Sequence, residues 1–114
     1  MKAIIWHNPR CSKSREALAI LQDTPGIEIE PYDYLRHPPS IERLKDVYAR
    51  AGITPHEGLR RNEELAKALE LADASEAAVL EAMAKHPVLV ERPIVETEKG
   101  VRLGRPPENI RDIL

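Results

Sequence analysis

Residues 2–33, KAIIWHNPRCSKSREALAILQDTPGIEIEPYD, decide the fold class of this chain. The apolar run after Lys2 predicts a short buried strand over residues 2–6, which Asn8-Pro9 ends. Apolar residues then recur at helical spacing and predict a helix that begins at residue 12 or 13 and ends near residue 22. Alternation over residues 27–33 predicts a second strand. Strand, helix and strand within about thirty residues form a βαβ unit, so the two strands should be parallel.

The rest of the chain predicts helices first and a hairpin afterwards. Between residues 40 and about 85 there is no strand pattern, and apolar residues at helical spacing predict three helices over residues 41–51, 63–72 and 76–83. Ser40 and Ser75 are the predicted N-caps of the first and third helices, and Gly52 is the predicted end of the first. Strands at residues 93–97 and 101–104 then form a hairpin that is followed by a short helix at residues 108–114. The order predicts an α/β domain with a mixed four-stranded sheet and a helical insertion at about residues 40–85.

Length and charge limit the function classes. A chain of 114 residues is the size of one domain, so we predict a single domain over residues 1–114. The net charge of −2 argues against a general nucleic-acid binder, which is usually clearly basic. The N-terminal apolar run is too short for a secretory signal, and no stretch is long enough to span a membrane. We therefore expect a cytoplasmic protein that binds neither nucleic acid nor a membrane.

Cys11 is the only cysteine of the chain. A disulfide formed by Cys11 must join it to another molecule, and a lone cysteine fits a reducing compartment. The four histidines, at positions 7, 37, 56 and 86, show no ligand spacing. We therefore predict no metal site and no bound cofactor.

The position of Cys11 indicates chemistry at its sulfur. The cysteine lies between the first strand and the first helix, and in α/β folds this edge of the sheet commonly holds ligands. The free N–H groups and the dipole of a helix N-terminus stabilise a negative charge, and so do the neighbouring Arg10, Lys13 and Arg15. Such surroundings lower the pKa of a thiol and favour the reactive thiolate. They also attract an anion, so we predict a nucleophilic cysteine that attacks an oxyanion; the alternative is a buried, inert structural cysteine.

Three neighbours of Cys11 are candidates for stabilising its thiolate. His7 either tunes the thiol or simply closes the strand. Ser14 either donates a hydrogen bond to the thiolate or caps the helix. Arg15 is either part of the anion site or a solvated helix arginine.

Residue spacing excludes two related kinds of thiol site. A tyrosine phosphatase loop requires Cys-x5-Arg, whereas here position 17 is Ala17 and the arginine lies at Cys-x3-Arg. A thioredoxin dithiol requires Cys-x-x-Cys, and Ser14 stands at the second position. The oxidised form of Cys11 must therefore be reduced by a separate molecule such as glutathione.

Four motifs together resemble the glutaredoxin-coupled arsenate reductase family. The first is the Cys11 loop, His7-Asn8-Pro9-x-Cys11-x-x-Ser14-Arg15. The others are Leu59-Arg60-Arg61-Asn62, the run from His86 to Val95 (HPVLVERPIV), and the run from Gly100 to Pro106 (GVRLGRP). The motifs occur in the family's order and lie near both ends of the chain and at the junctions of the helical insertion.

The resemblance implies a fold, an activity and roles for individual residues. The fold would be thioredoxin-like, with Arg92–Pro93 as a cis peptide bond at Pro93. Cys11 would attack arsenate, while Arg60, Arg92 and Arg105 would hold the oxyanion. Glutathione would be the co-substrate, and glutaredoxin the partner that resolves the adduct at Cys11.

Two other functions remain open from the sequence. The protein could be a glutathione-dependent thiol reductase without arsenate activity. It could also be a thioredoxin-like regulator that binds RNA polymerase, although Ser14 occupies the position at which a dithiol switch would need cysteine.

Overall fold

The computed structural model describes all 114 residues and divides them into two compact units. The first unit consists of Met1–Tyr34 and Arg92–Leu114, and the second consists of Leu35–Glu91. The second unit is thus inserted in sequence between the βαβ unit and the hairpin. Its limits extend beyond the helical insertion predicted at about residues 40–85.

The first unit contains a mixed four-stranded sheet, as predicted. Its strands are β1 (Lys2–Trp6), β2 (Glu28–Tyr32), β3 (Ile94–Thr97) and β4 (Gly100–Leu103), in the spatial order β2-β1-β3-β4. β1 pairs in parallel with β2 and antiparallel with β3, and β3 pairs antiparallel with β4. The helix between the parallel strands, α1 (Ser12–Gln22), makes their connection long enough for parallel pairing.

The core of the first unit lies between the sheet, α1 and the C-terminal segment. Ile5 of β1 faces Val95 of β3 in the sheet register, and both side chains are fully buried. Ala17 and Leu21 of α1 pack in the same cluster, because a spacing of four residues puts them on one helix face. Ile110 and Ile113 of the C-terminal segment belong to the same cluster.

The short helix predicted at residues 108–114 is present, but it is a 3₁₀-helix and not an α-helix. Pro107–Ile113 is a 3₁₀-helix, with hydrogen bonds from Asn109 N–H to the Pro106 carbonyl and from Leu114 N–H to the Arg111 carbonyl. The Thr97 hydroxyl donates to the Ile113 carbonyl over 2.6 Å. The hairpin thus holds the end of this segment by a tertiary hydrogen bond that local helix propensity does not predict.

The second unit contains α2 (Ile41–Ala51) and α4 (Glu76–Lys85), whose caps are those expected from the sequence. Ser40 accepts a hydrogen bond from the Arg43 N–H, and Ser75 accepts one from the Ala78 N–H. Gly52 ends α2 in the left-handed conformation at φ 71°, which favours glycine. The two helices contribute the buried residues Leu44, Val47, Tyr48, Val79, Leu80, Ala82 and Met83.

The predicted helix over residues 63–72 is wrong in its extent. The α-helix there, α3, covers only Glu64–Ala68 and is followed by a 3₁₀ turn at Leu71–Asp73. Glu70 between them has φ 52°, so the chain leaves the helical path at that residue. Leu71 is buried while Leu69 is 47% exposed, so the break in the helix accompanies burial of one of the two leucines.

None of the helices combines the length and apolar character needed to cross a membrane.

Candidate active site

The loop between β1 and α1 places Cys11 at the N-cap of the helix. Its backbone is extended, at φ −95° and ψ 122°, and its carbonyl accepts the first helical hydrogen bond, from the Arg15 N–H over 3.0 Å. The Cys11 N–H donates to the Asn8 carbonyl, also over 3.0 Å. Only 7% of the Cys11 surface is exposed.

Opposing effects set the protonation state of the Cys11 thiol. Burial raises its pKa, because a thiolate loses solvation. The N–H of Ser14, the charge of Arg92, the N–H of Lys13 and a hydrogen bond from the Arg92 side chain all act in the other direction. Together they outweigh burial, so the pKa of Cys11 lies below the ordinary thiol value. The N–H groups of Ser14 and Lys13 favour the thiolate although the Cys11 side chain accepts no N-cap hydrogen bond of ordinary geometry.

Arg92 and Pro93 lie just before β3, within the same unit as Cys11. The Arg92–Pro93 peptide bond is cis. Pro93 accepts a hydrogen bond from the Gly104 N–H at its carbonyl, over 2.8 Å, and its ring lies so near Gly104 that a Cβ there would be 2.8 Å from Cγ. The Nε of Arg92 is covered and has no hydrogen-bond partner, while the Arg92 side chain lowers the pKa of the Cys11 thiol.

Arg105 lies beyond β4 and returns to the same segment. Its Nε donates to the Arg92 carbonyl over 2.8 Å, while its side chain remains exposed. The Arg105–Pro106 peptide bond is also cis. Two of the three predicted oxyanion-binding arginines are therefore hydrogen-bonded to each other, and the charge of one of them, Arg92, favours the Cys11 thiolate.

His7 and Ser14 interact with each other and not with the sulfur through their side chains. The Nδ1 of His7 and the Oγ of Ser14 are 2.9 Å apart, and Ser14 Oγ also accepts from the Asn8 N–H over 3.0 Å. Ser14 has no exposed surface. Burial, together with the charge of Arg15, lowers the pKa of His7. Ser14 acts on the thiolate through its backbone N–H, whereas the sequence pointed to its hydroxyl.

Arg15 supports the Cys11 loop from α1. Its Nη1 donates to the Pro9 carbonyl over 2.9 Å, and its side chain is exposed. It thereby fixes the loop two residues before the cysteine, and it is not among the groups that lower the pKa of Cys11.

Arg60 belongs to the second unit, where two carboxylates surround it. Its Nη1 is 3.1 Å from Glu63 Oε2, and its Nε is 3.7 Å from Glu91 Oε1. Its backbone N–H donates to the Leu89 carbonyl over 2.9 Å. The predicted role of Arg60 in binding an oxyanion stays a prediction.

Two loop residues, Asn8 and Lys13, act through groups that the sequence did not indicate. Asn8 uses its N–H toward Ser14, its carbonyl toward Cys11 and its Oδ1 toward the Arg10 N–H, the last over 3.0 Å. The Asn-Pro pair was a signal for this, because Asn side chains commonly bond to the backbone two residues on. Lys13 contributes its backbone N–H to the thiolate, and such a donor has no side-chain signature.

Comparison with known proteins agrees with the motifs. The ArsC family model matches residues 6–113. An arsenate reductase of Neisseria meningitidis is 43% identical over 113 residues, which are 96% of each chain. An arsenate reductase of Haemophilus influenzae is 40% identical and covers both chains completely. The structure of an arsenate reductase from Vibrio cholerae matches with a TM-score of 0.93 and 45% identity, over 100% of this chain and 98% of the other. The chain has the thioredoxin-like fold and belongs to the ArsC family.

Proposed function

We propose that this protein is an oxidoreductase that reduces arsenate to arsenite, with Cys11 as nucleophile and glutathione and glutaredoxin as its reducing system. One observation carries the proposal: Arg92 stabilises the Cys11 thiolate and keeps a covered Nε donor without an acceptor. A covered N–H needs a partner, and an oxygen of an anion bound at the sulfur would provide one. The family match and the names of the relatives support arsenate as that anion.

In the first step, the Cys11 thiolate attacks the arsenic of arsenate. A sulfur–arsenic bond forms, and one arsenate oxygen leaves as hydroxide, which takes a proton to become water. Arg92 and Arg105 would hold the remaining oxygens, since a guanidinium offers a planar fork of donors that suits tetrahedral oxyanions. We retain Arg60 as a further candidate on its motif match alone.

In the second step, a glutathione thiolate attacks the Cys11 sulfur. A disulfide forms between Cys11 and glutathione, and the electron pair of the sulfur–arsenic bond leaves with arsenic, which becomes arsenite after protonation. Glutaredoxin then reduces the mixed disulfide and releases Cys11 as a thiolate. The lowered pKa of Cys11 favours the attack on arsenate, because more of the thiol is present as thiolate. It also favours release of Cys11 from the mixed disulfide, because a low-pKa thiol is a better leaving group.

The test is a coupled assay with purified protein, glutathione, glutaredoxin, glutathione reductase and NADPH. Addition of arsenate should start NADPH consumption, one NADPH for each arsenite formed. Cys11→Ser should give only the background rate. Arg111→Lys, which changes an exposed arginine of the same unit, should leave the rate unchanged.

A second arm replaces arsenate with a small mixed disulfide of glutathione and omits glutaredoxin, which would itself reduce that disulfide. Turnover of the disulfide in this arm, together with no arsenite production in the arsenate arm, would show a thiol reductase and contradict the proposal. Equal rates for the wild type and Cys11→Ser in the arsenate arm would contradict it as well.

A further inference from the structure

Ser14 is the most deeply buried polar side chain next to the reactive loop. Its relative exposure is 0%, yet it belongs to the first turn of α1, where serines are commonly solvated caps. We infer that Ser14 is a positioning residue: its hydroxyl ties His7 and Asn8 to the first turn of α1 and so holds the N–H groups of that turn against the Cys11 sulfur. The inference rests on the proposed role of Cys11 as a reacting thiolate.

The hydrogen bonds of Ser14 determine how it is held. Its oxygen accepts from the Asn8 N–H, so its single hydroxyl proton is left for the other partner, the Nδ1 of His7 at 2.9 Å. A hydroxyl buried without an acceptor for its proton is unfavourable. In this inference Ser14 donates to an unprotonated Nδ1, which places the ring proton of His7 on Nε2. His7 then acts as a neutral acceptor on Ser14.

The same residues enclose the cysteine on its N-terminal side. Asn8 is held at its N–H by Ser14, and its carbonyl accepts from the Cys11 N–H. Two hydrogen bonds to Asn8 therefore close the segment from Asn8 to Ser14, one between its N–H and Ser14 and one between its carbonyl and the Cys11 N–H. Within this closed segment, the Ser14 N–H is the foremost of the groups that favour the thiolate. Loss of the Ser14 hydroxyl should let the segment relax and move that N–H away from the sulfur.

The experiment measures the thiol directly through the rate of iodoacetamide alkylation against pH. Ser14→Ala should raise the apparent pKa of Cys11 and lower the thiolate fraction at neutral pH by on the order of fivefold, the effect of one hydrogen bond. Ser12→Ala is the matched control, because Ser12 lies in the same helical turn and is exposed. Circular dichroism establishes that each variant is folded. A folded Ser14→Ala with the wild-type profile, or an equal shift in Ser12→Ala, would overturn the inference.

A second pair of variants tests the same inference if Ser14→Ala does not fold. His7→Asn supplies an oxygen near the position of Nδ1 and should keep the wild-type alkylation profile. His7→Ala removes the acceptor and should shift the profile as Ser14→Ala would. Equal profiles for the two variants, shifted or not, would overturn the role of the hydrogen bond. Because alkylation requires no arsenate, these results are independent of whether the protein reduces arsenate.

Discussion

The local sequence predicts the direction in which the pKa of Cys11 shifts, but it does not identify all the groups that cause the shift. The strand-to-helix position and the nearby basic residues indicated a lowered thiol pKa, and the structure gives the same direction. The basic residue that acts, however, is Arg92, far away in sequence, and the neighbouring Arg15 bonds to a carbonyl of the loop. Spacing along the chain could not reveal this, because Arg92 joins Cys11 in the first unit only where the chain returns to the sheet at β3.

The lowered pKa of Cys11 makes stability depend on pH. In the unfolded chain the thiol has its ordinary pKa of about 8.5, so between the folded value and that value the unfolded state binds more protons. Stability from this group is therefore full above the unfolded pKa and is lost as pH falls through the folded pKa. We expect the difference in unfolding free energy between the wild type and Cys11→Ser to shift in favour of the wild type as pH rises toward 8.5. Urea titrations at several pH values measure it, and a constant difference would contradict the expectation.

Arg92→Gln should weaken both effects of the guanidinium at the sulfur. The glutamine keeps a polar side chain but has no charge, so the pKa of Cys11 should rise and alkylation at neutral pH should slow several-fold. Arsenate should also protect Cys11 from alkylation less well, since the covered Nε donor is gone. Arg111→Lys is the control, and a wild-type pKa in Arg92→Gln would contradict the assigned contact.

At the scale of elements, capping residues were reliable guides and helix continuity was not. Ser40, Ser75 and Gly52 each act as predicted, because a cap is a local interaction of a few residues. The break after α3 and the 3₁₀ form of Pro107–Ile113 depend on which side chains are buried and which carbonyls find distant partners. The periodicity of the sequence contains no information on those partners.

Gly104→Ala tests the close packing between the end of β4 and the segment before β3. A Cβ at Gly104 would lie 2.8 Å from Cγ of Pro93, and the rigid proline ring cannot rotate away. We expect a loss of about 1–3 kcal/mol in unfolding free energy, the usual cost of overpacking. Gly52→Ala is the comparison, because its Cβ would meet nothing within 4 Å and only the left-handed backbone opposes it. Urea denaturation measures both, and a neutral Gly104→Ala would contradict the contact.

At the scale of the molecule, the sequence predicted the mixed sheet because βαβ and hairpin patterns specify strand direction. The contribution of the C-terminal residues was not predictable in the same way. Ile110 and Ile113 lie in a short segment with weak helical periodicity, yet both are buried in the core of the first unit. Only tertiary packing shows that the last residues of the chain complete this core.

Ile110→Ala should therefore be strongly destabilising for a change so near the C-terminus. The side chain is fully buried in the cluster with Ile5 and Val95, and its truncation should lower the unfolding free energy by about 2–5 kcal/mol. Leu69→Ala, at a leucine that is 47% exposed, should change the unfolding free energy by no more than about 0.5 kcal/mol. Thermal or urea unfolding distinguishes the two, and similar costs would contradict the described core.

The burial of Cys11 also bears on how the protein behaves in air. A disulfide between two copies needs the sulfurs about 2 Å apart, and the covering that leaves 7% of Cys11 exposed surrounds each sulfur with its own protein. A small thiol can reach such a sulfur, whereas a second folded chain meets the surrounding surface first. Aerated samples should therefore run as a single monomer band on a non-reducing gel after denaturation in the presence of an alkylating agent. The burial of Cys11 thus opposes a disulfide between two copies of this chain and leaves exchange with a small thiol open.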